Sequence, residues 1–490
     1  MNWRKFLLSL IISILMLGAL VGFWRVPQQE TEWTKLVRLS SENRKASEAS
    51  VLSDPYGYVH VFWAEENEDE SVLILYTRYD GETWSFPVDI YLSAPERSVD
   101  SIAPYIDAQG LLHVMWAEGP FPKLLYYASA PVWQALSSSK WSSPKQIRIQ
   151  AEELDFIVDA EGVYHIAFSM NTANNRGLFY SQSTDNANTW STPVWFDPDI
   201  PTSFLPAKIT LALDDTGGMH VTWTYKGLDF GVEGDWVRYI RSLDGGQTWG
   251  EPFTIAKNSA GDDELNNFAS PVMVIHGQTI HVVWAGGDLL YRHYRFSPDA
   301  GNTWSDTTRM MGDLNGQAGD GMAIDALGRP HYFAQIRFPM GVYHSFLDQE
   351  KWSFPQLIYF IRFGNELTDY VEAHATYPAI RLGNQIVLTF AHPPSEVNRG
   401  LFVMTTILDD VPALDPVPFP LPTATPTPEP LPSESIPPSP TATRSPANVP
   451  GEENFSSTQL GSSNPGLVWG LLVSIVIVGG ALVFRHFVRE

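Results

Sequence analysis

Apolar residues between positions 33 and 408 fall into short runs bounded by polar turns. The runs repeat as a unit of about fifty residues: an apolar segment, a turn, a His-Val-x-Trp strand, another strand, then a turn closing on Thr-Trp. The His-bearing strand reads His60-Val61-Phe62-Trp63, His113-Val114-Met115-Trp116, His165-Ile166-Ala167-Phe168, His220-Val221-Thr222-Trp223 and His281-Val282-Val283-Trp284. A weaker sixth copy is His331-Tyr332-Phe333-Ala334, and 386–390 takes the same place in a seventh, without the histidine. The strand after the closing turn is expected to begin at Trp84, Trp141, Trp190, Trp249, Trp304 and Trp352. These strands are nearly continuously apolar, the pattern of a sheet covered on both faces.

Several short strands per unit predict an all-β fold, a β-propeller. The segment Trp33-Thr34-Lys35-Leu36-Val37 reads as an outer strand with no unit of its own, and the seventh unit, 377–408, lacks its last strand. Pairing the two closes the ring and removes two exposed edges. The expectation is therefore a seven-bladed propeller closed by the N-terminal strand, with six blades as the alternative if the last unit is only a packed extension. Burying one indole contributes on the order of 4–6 kcal/mol as an upper bound, so the recurring tryptophans are read as packing. The repeated histidines are read as core residues satisfied by neighbouring backbone.

Both ends of the 490-residue chain are hydrophobic. Residues 1–29 carry Arg4 and Lys5 before an apolar run, the pattern of a signal peptide. The run is long and no A-x-A site follows, so an uncleaved signal anchor is the other reading. Residues 466–485 are apolar enough to span a bilayer as a helix. Arg485 and Arg489 place 486–490 in the cytoplasm by the positive-inside rule. Between the propeller, 30–410, and that helix lies 411–465, rich in Pro, Thr and Ser. Such a segment forms an extended stalk reaching, at roughly 3.1 Å per residue, on the order of 150 Å. The expected address is the membrane of a bacterial cell, with the propeller outside.

Composition narrows the partners. The net charge is −24, with 55 acidic against 31 basic side chains, which repels nucleic acid. There is no cysteine, so disulfides, thiol nucleophiles and thiolate metal sites are excluded. Cations, basic proteins and neutral or amino sugars remain as partners.

The closing turns Ser242 to Trp249 and Ser297 to Trp304 share the form S-x-D-x-G-x-T-W, and Ser183 to Trp190 differs only by Ala187 in place of glycine. The Asp accepts hydrogen bonds from its own turn and the Gly permits a positive φ. The motif resembles the Asp-box, or BNR repeat, of the sialidase (neuraminidase) superfamily, over 33–408. The resemblance implies that Asp185, Asp244, Asp299, Trp190, Trp249 and Trp304 are structural and peripheral. Sialidase chemistry would need an arginine triad, a Tyr–Glu pair and an Asp, and the family's Arg-Ile-Pro motif is missing here. Arg381 is the one arginine within a predicted inner strand, with Arg337 and Arg362 on loops.

Acidic residues recur just before the inner strands: Glu48, Asp100, Glu153, Asp263, Glu264, Asp320 and Glu372. Glu65 and Glu118 stand in the other loops of that face. With Arg381 they form the candidate ligand site, an acidic channel mouth that focuses field and attracts cations or basic groups. Solvated loops sharing the overall acidity are the plain alternative. No cofactor is expected, although the acidic face admits a divalent cation. The expected function is a surface-tethered propeller binding a glycan or protein ligand; a glycoside hydrolase of the sialidase superfamily is the alternative.

Overall fold

The first apolar run of each unit forms the innermost strand of an antiparallel sheet, and the His-bearing run is its second strand. The computed structural model describes residues 32–420 apart from 173–174, 199–203, 228–232, 258–268, 288, 317–318, 338, 361–375 and 393–399. Both apolar end segments and most of the Pro-rich stretch lie outside these residues. Among the described residues no helix is long and apolar enough to cross a membrane.

Seven sheets form, six of four strands and one of five. The first blade holds Lys45–Ser53, Val59–Glu66, Val72–Tyr79 and Val88–Leu92, and the second Ser98–Ile106, Leu111–Gly119, Leu124–Pro131 and Lys145–Gln150. The inner strands touch in ring order, and the seventh, Thr376–Arg381, touches the first. The architecture is a seven-bladed propeller.

The N-terminal strand closes it. Val37–Arg38 pairs antiparallel with Gly400–Ile407, Val37 facing Val403 and Arg38 facing Phe402. Thr34 N–H donates to the Thr405 carbonyl at 2.9 Å, and Thr405 N–H donates to Thr34 Oγ1 at 2.9 Å. The seventh blade thus takes its outer strand from the opposite end of the chain.

Continuous burial explains the continuous apolarity. Trp63, Trp116, Trp223 and Trp284 on the second strands are fully enclosed between adjacent sheets. The Thr-Trp tryptophans behave differently from the expectation that they begin the outer strands. In five blades those strands start later, at Val88, Lys145, Val194, Phe253 and Thr308, whereas Trp352 does lie in a strand, the two-residue Lys351–Trp352 that precedes Gln356–Tyr359. The indoles instead wedge between blades: Trp249 packs on Tyr180 and Phe196 of the preceding blade at centroid distances of 4.8 and 4.4 Å. Trp304 does the same on Tyr239 at 5.0 Å and Phe253 at 5.8 Å.

Strand direction alternates within each blade, so the ring has two distinct faces. The starts of the inner strands and the loops between second and third strands share the mouth face. The ends of the inner strands and the Asp-box turns share the other, the Asp-box face. Residues 411–420, the first of the Pro-rich stretch, lie along the Asp-box face, with Val411 buried and Val417 N–H donating to the Pro55 carbonyl at 2.8 Å.

Candidate functional site

The repeated histidine gives a ruler for the mouth face. It pairs with Leu52, Tyr105, Ile157 and Ala212 in the first four blades. Counting back four residues from each partner gives Glu48, Ser101, Glu153 and Lys208, one equivalent position in four blades. In three of them a register shift crosses the position, and Glu48, Ser101 and Lys208 take φ values of 44°, 52° and 53°. A bulge re-aims a side chain, and here it aims along the ring. Glu48 Oε2 accepts from Ser101 N–H at 3.3 Å, Ser101 Oγ from Leu154 N–H at 3.3 Å, and Glu153 Oε2 from Lys208 N–H at 2.7 Å. Glu48 and Glu153 join each blade to the next.

The other acids of the predicted mouth are also committed. Asp100 forms an ion pair with Lys123. Glu65 is buried, accepting from Ser41 N–H at 2.8 Å and Trp63 Nε1 at 2.9 Å, and Glu118 accepts from Trp116 Nε1 at 3.3 Å. Asp320 does not face an open mouth. It is buried against Arg292, whose Nε and Nη2 each donate to its carboxylate at 3.0 Å, and Tyr332 donates a third bond. Burying a guanidinium requires such a bidentate partner.

Arg381 does not join the acids. It ends an inner strand and so stands on the Asp-box face, where Nε donates to the Gly57 carbonyl at 2.6 Å and Nη2 to the Asp80 carbonyl at 2.8 Å. Arg337 ends a second strand and lies on the mouth face, so the two arginines do not converge. Asp263, Glu264, Glu372 and Arg362 lie outside the described residues. Among the described residues no three His, Asp or Glu side chains gather as metal ligands would.

One inner-strand carboxyl lies outside the predicted set. Asp155, two residues beyond Glu153, accepts from Leu211 N–H of the next blade at 2.8 Å and from its own neighbour Phe156 N–H at 2.9 Å. Burial pushes its pKa up to about 6 despite those two donors.

A second repeated motif also escaped notice. Asp-x-x-Gly-x-x-His occurs at Asp54–His60, Asp107–His113, Asp159–His165, Asp214–His220 and Asp325–His331. The histidines are satisfied by side chains, not by the backbone partners expected. His60 Nε2 meets Asp54 Oδ2 at 2.9 Å and its Nδ1 meets the Tyr76 hydroxyl at 2.8 Å. The same pair of contacts recurs at His220, with Asp214 at 3.1 Å and Tyr239 at 2.7 Å. Each Asp also caps its turn, as when Asp54 Oδ1 accepts from Tyr58 N–H at 2.7 Å. Burial lowers the pKa of His60, His165, His220 and His331, each against the pull of its carboxylate. His281 keeps the tyrosine, Tyr294 at 2.7 Å, but its turn has no Asp, and burial lowers it to about 4. These sets are enclosed by the blades and hold the fold.

The Asp-box side chains are spent within their own turns. Asp244 accepts from Thr248 N–H at 2.8 Å, Asp299 from Thr303 N–H at 2.7 Å and Asp185 from Thr189 N–H at 2.8 Å. Trp190, itself partly buried, packs against the core shared by the second and third blades.

Among the described residues, the mouth face carries a cleft of about 490 Å³ between the second and third blades. Phe121, Pro122, Gln150, Asn171, Thr172 and Arg176 line it. Phe121 is 62% exposed, and Arg176 Nε donates to Asn171 Oδ1 at 3.0 Å, which fixes the guanidinium plane at the rim. An exposed ring, two amides, a hydroxyl and a guanidinium suit a ligand with one apolar face and a polar edge.

No family model matches the sequence, and no curated protein matches it. Among solved structures the chain is similar to a protein of unknown function from Dyadobacter fermentans, at 14% identity over 78% of this chain and 100% of that one, with a TM-score of 0.47. It is similar to a polysaccharide lyase described as an ulvan lyase, at 12% identity over 76% of this chain and 96% of that one, TM-score 0.47. It is also similar to the intramolecular trans-sialidase of Ruminococcus gnavus, at 10% identity over 77% and 98%, TM-score 0.39. The chain thus shares a distant structural similarity with sialidases and with sialidase-like lyase propellers.

Proposed function

We propose that this chain is a surface-tethered, glycan-binding propeller whose ligand contact is the mouth-face cleft between the second and third blades. One observation carries the reading: Phe121 presents an exposed ring beside Gln150, Asn171, Thr172 and Arg176 around that cleft. A pyranose has an apolar C–H face and a hydroxyl edge, and stacking plus planar donors match both. The acidic loops nearby would then act as field and scaffold, since Glu48, Asp100 and Glu153 are occupied by Ser101, Lys123 and Lys208. The terminal apolar segments would hold the chain at a membrane, with the propeller outside.

The test is a glycan panel read against residues 30–422. Phe121→Ala and Arg176→Ala are each expected to weaken the best ligand by about tenfold or more, which is about 1.4 kcal/mol, with the thermal midpoint unchanged. Binding that neither substitution alters would place the ligand elsewhere.

A second reading is supported by Asp155. A buried carboxyl whose pKa is raised to about 6 keeps a proton as a general acid must, and Glu153 stands two residues before it, just ahead of the same inner strand. We propose glycoside hydrolysis as the alternative activity, to be assayed on the same panel. Turnover that Asp155→Asn abolishes would establish it; binding without turnover would retire it.

A further inference from the structure

The Asp-box face carries a ring cluster unrelated to the Asp-boxes. Tyr56 and Tyr58, in the first turn of the first blade, and Trp133, after the third strand of the second blade, surround Phe419. Their centroids lie 4.9, 5.6 and 6.2 Å from its ring, and Tyr58 is nearly parallel to it at 12°. The Arg78 guanidinium also lies over the Tyr58 ring, 4.2 Å from its centroid. Two backbone bonds lead into this cluster: Leu414 N–H to the Leu382 carbonyl and Val417 N–H to the Pro55 carbonyl, both 2.8 Å. The flanking prolines rest on glycines. A Cβ on Gly57 would stand 3.4 Å from Pro416, and one on Gly110 would stand 2.9 Å from Pro420.

The sequence of the occupant is Pro416-Val417-Pro418-Phe419-Pro420. Alternate prolines hold an extended, pre-organised backbone with few donors, and aromatic grooves bind such backbones at low entropic cost. Most of the strap is solvent-exposed while Phe419 is half-buried, as for a bound peptide and unlike a core strand. Beyond Pro420 the surface continues as an open cleft of about 370 Å³ that shares Gly110 and Trp133 with the strap and adds Gln109, Tyr164 and Asn186.

We propose that Tyr56, Tyr58 and Trp133 form a binding site for a proline-rich peptide, occupied in cis by residues 414–420 of the same chain. The docked strap holds residues 414–420 on the Asp-box face. This site is independent of the glycan reading, because it lies on the opposite face.

The experiment uses the full chain and a synthetic peptide of sequence Asp-Pro-Val-Pro-Phe-Pro-Leu, residues 415–421. In the wild type the tethered strap has an effective concentration on the order of millimolar, so added peptide is expected to change nothing. Phe419→Ala loosens the strap and exposes 411–420 to protease. The peptide should then raise the thermal midpoint of that variant saturably by a few degrees, because it binds only the folded chain. A peptide with Ala for Phe should not, and adding Tyr58→Ala should abolish the response. Val417→Pro, which removes the donor to Pro55 without touching the rings, should give the same rescue. A Phe419→Ala chain that stays protease-resistant, or a Val417→Pro chain that ignores saturating peptide, would overturn the proposal.

Discussion

Gly246, the Asp-box glycine of the fourth blade, lies against the Tyr180 hydroxyl of the third, and a Cβ at that position would collide with it. Its φ of 78° is a second reason for glycine. Tyr180 is also the residue that bonds His165, at 2.7 Å, so the turn of one blade braces the buried histidine of its neighbour. Gly246→Ala should therefore destabilise by about 1–3 kcal/mol in chemical denaturation. Ala187, at the same position one blade earlier, is buried at φ 59°. Ala187→Gly should stay within about 1 kcal/mol of wild type.

Trp249 fills the wedge between the third and fourth blades against Tyr180 and Phe196. Trp249→Ala should cost roughly 3–5 kcal/mol, read as a lower denaturant midpoint. Wild-type stability in that variant would refute the packing role.

Arg292 and Asp320 form a buried bidentate pair between the fifth and sixth blades. Asp320→Ala leaves the guanidinium without its anion and should cost roughly 3–5 kcal/mol. Removing both charges, as Arg292→Met with Asp320→Leu, should recover most of that loss. A double variant no more stable than the single one would show that the charges themselves hold the joint.

Asp155 has a raised folded pKa of about 6, so the native state binds its proton more tightly than the unfolded chain does. Its contribution is complete below the unfolded value near 4 and declines as pH rises towards 6. Asp155→Asn should accordingly raise the thermal midpoint at pH 7.5 and leave it unchanged at pH 4. Equal shifts at both pH values would contradict the burial argument.

The buried histidines act in the opposite sense. The folded pKa values of His60, His165, His220, His281 and His331 lie below the unfolded value of about 6.5, so the unfolded chain takes up protons first and stability falls as pH drops through that value. His281 is lowered to about 4, so His281→Phe should flatten the loss between pH 6.5 and 4 in urea melts. An unchanged slope would assign the acid sensitivity to other groups.

The ring and its closure were legible because they rest on periodicity and on edges that must pair, as the lone 33–37 segment and the incomplete seventh unit show. The Asp-x-x-Gly-x-x-His repeat is equally visible, and the Asp six residues before the histidine is its ring partner in all five copies. Asp320 and Arg292 belong to different blades, so nothing local announced their pairing. Arg381 was placed in the correct strand, and only its position at the strand's end, not its start, decides the face. Proline content predicted an extended backbone after 410; the single Phe419 among the prolines was the one sign that part of it is bound.

Closing the ring with strands from both ends of the propeller segment changes how the fold can fail. A linear array of repeats frays from its terminal units, each unit detaching at a local cost. Here there is no terminal unit, because Val37 and Val403 sit side by side in one sheet. Clipping a few residues near Thr34 or Thr405 would leave two blade edges open and expose the neighbouring cores together. Damage to either closing strand is thereby shared by the whole circle.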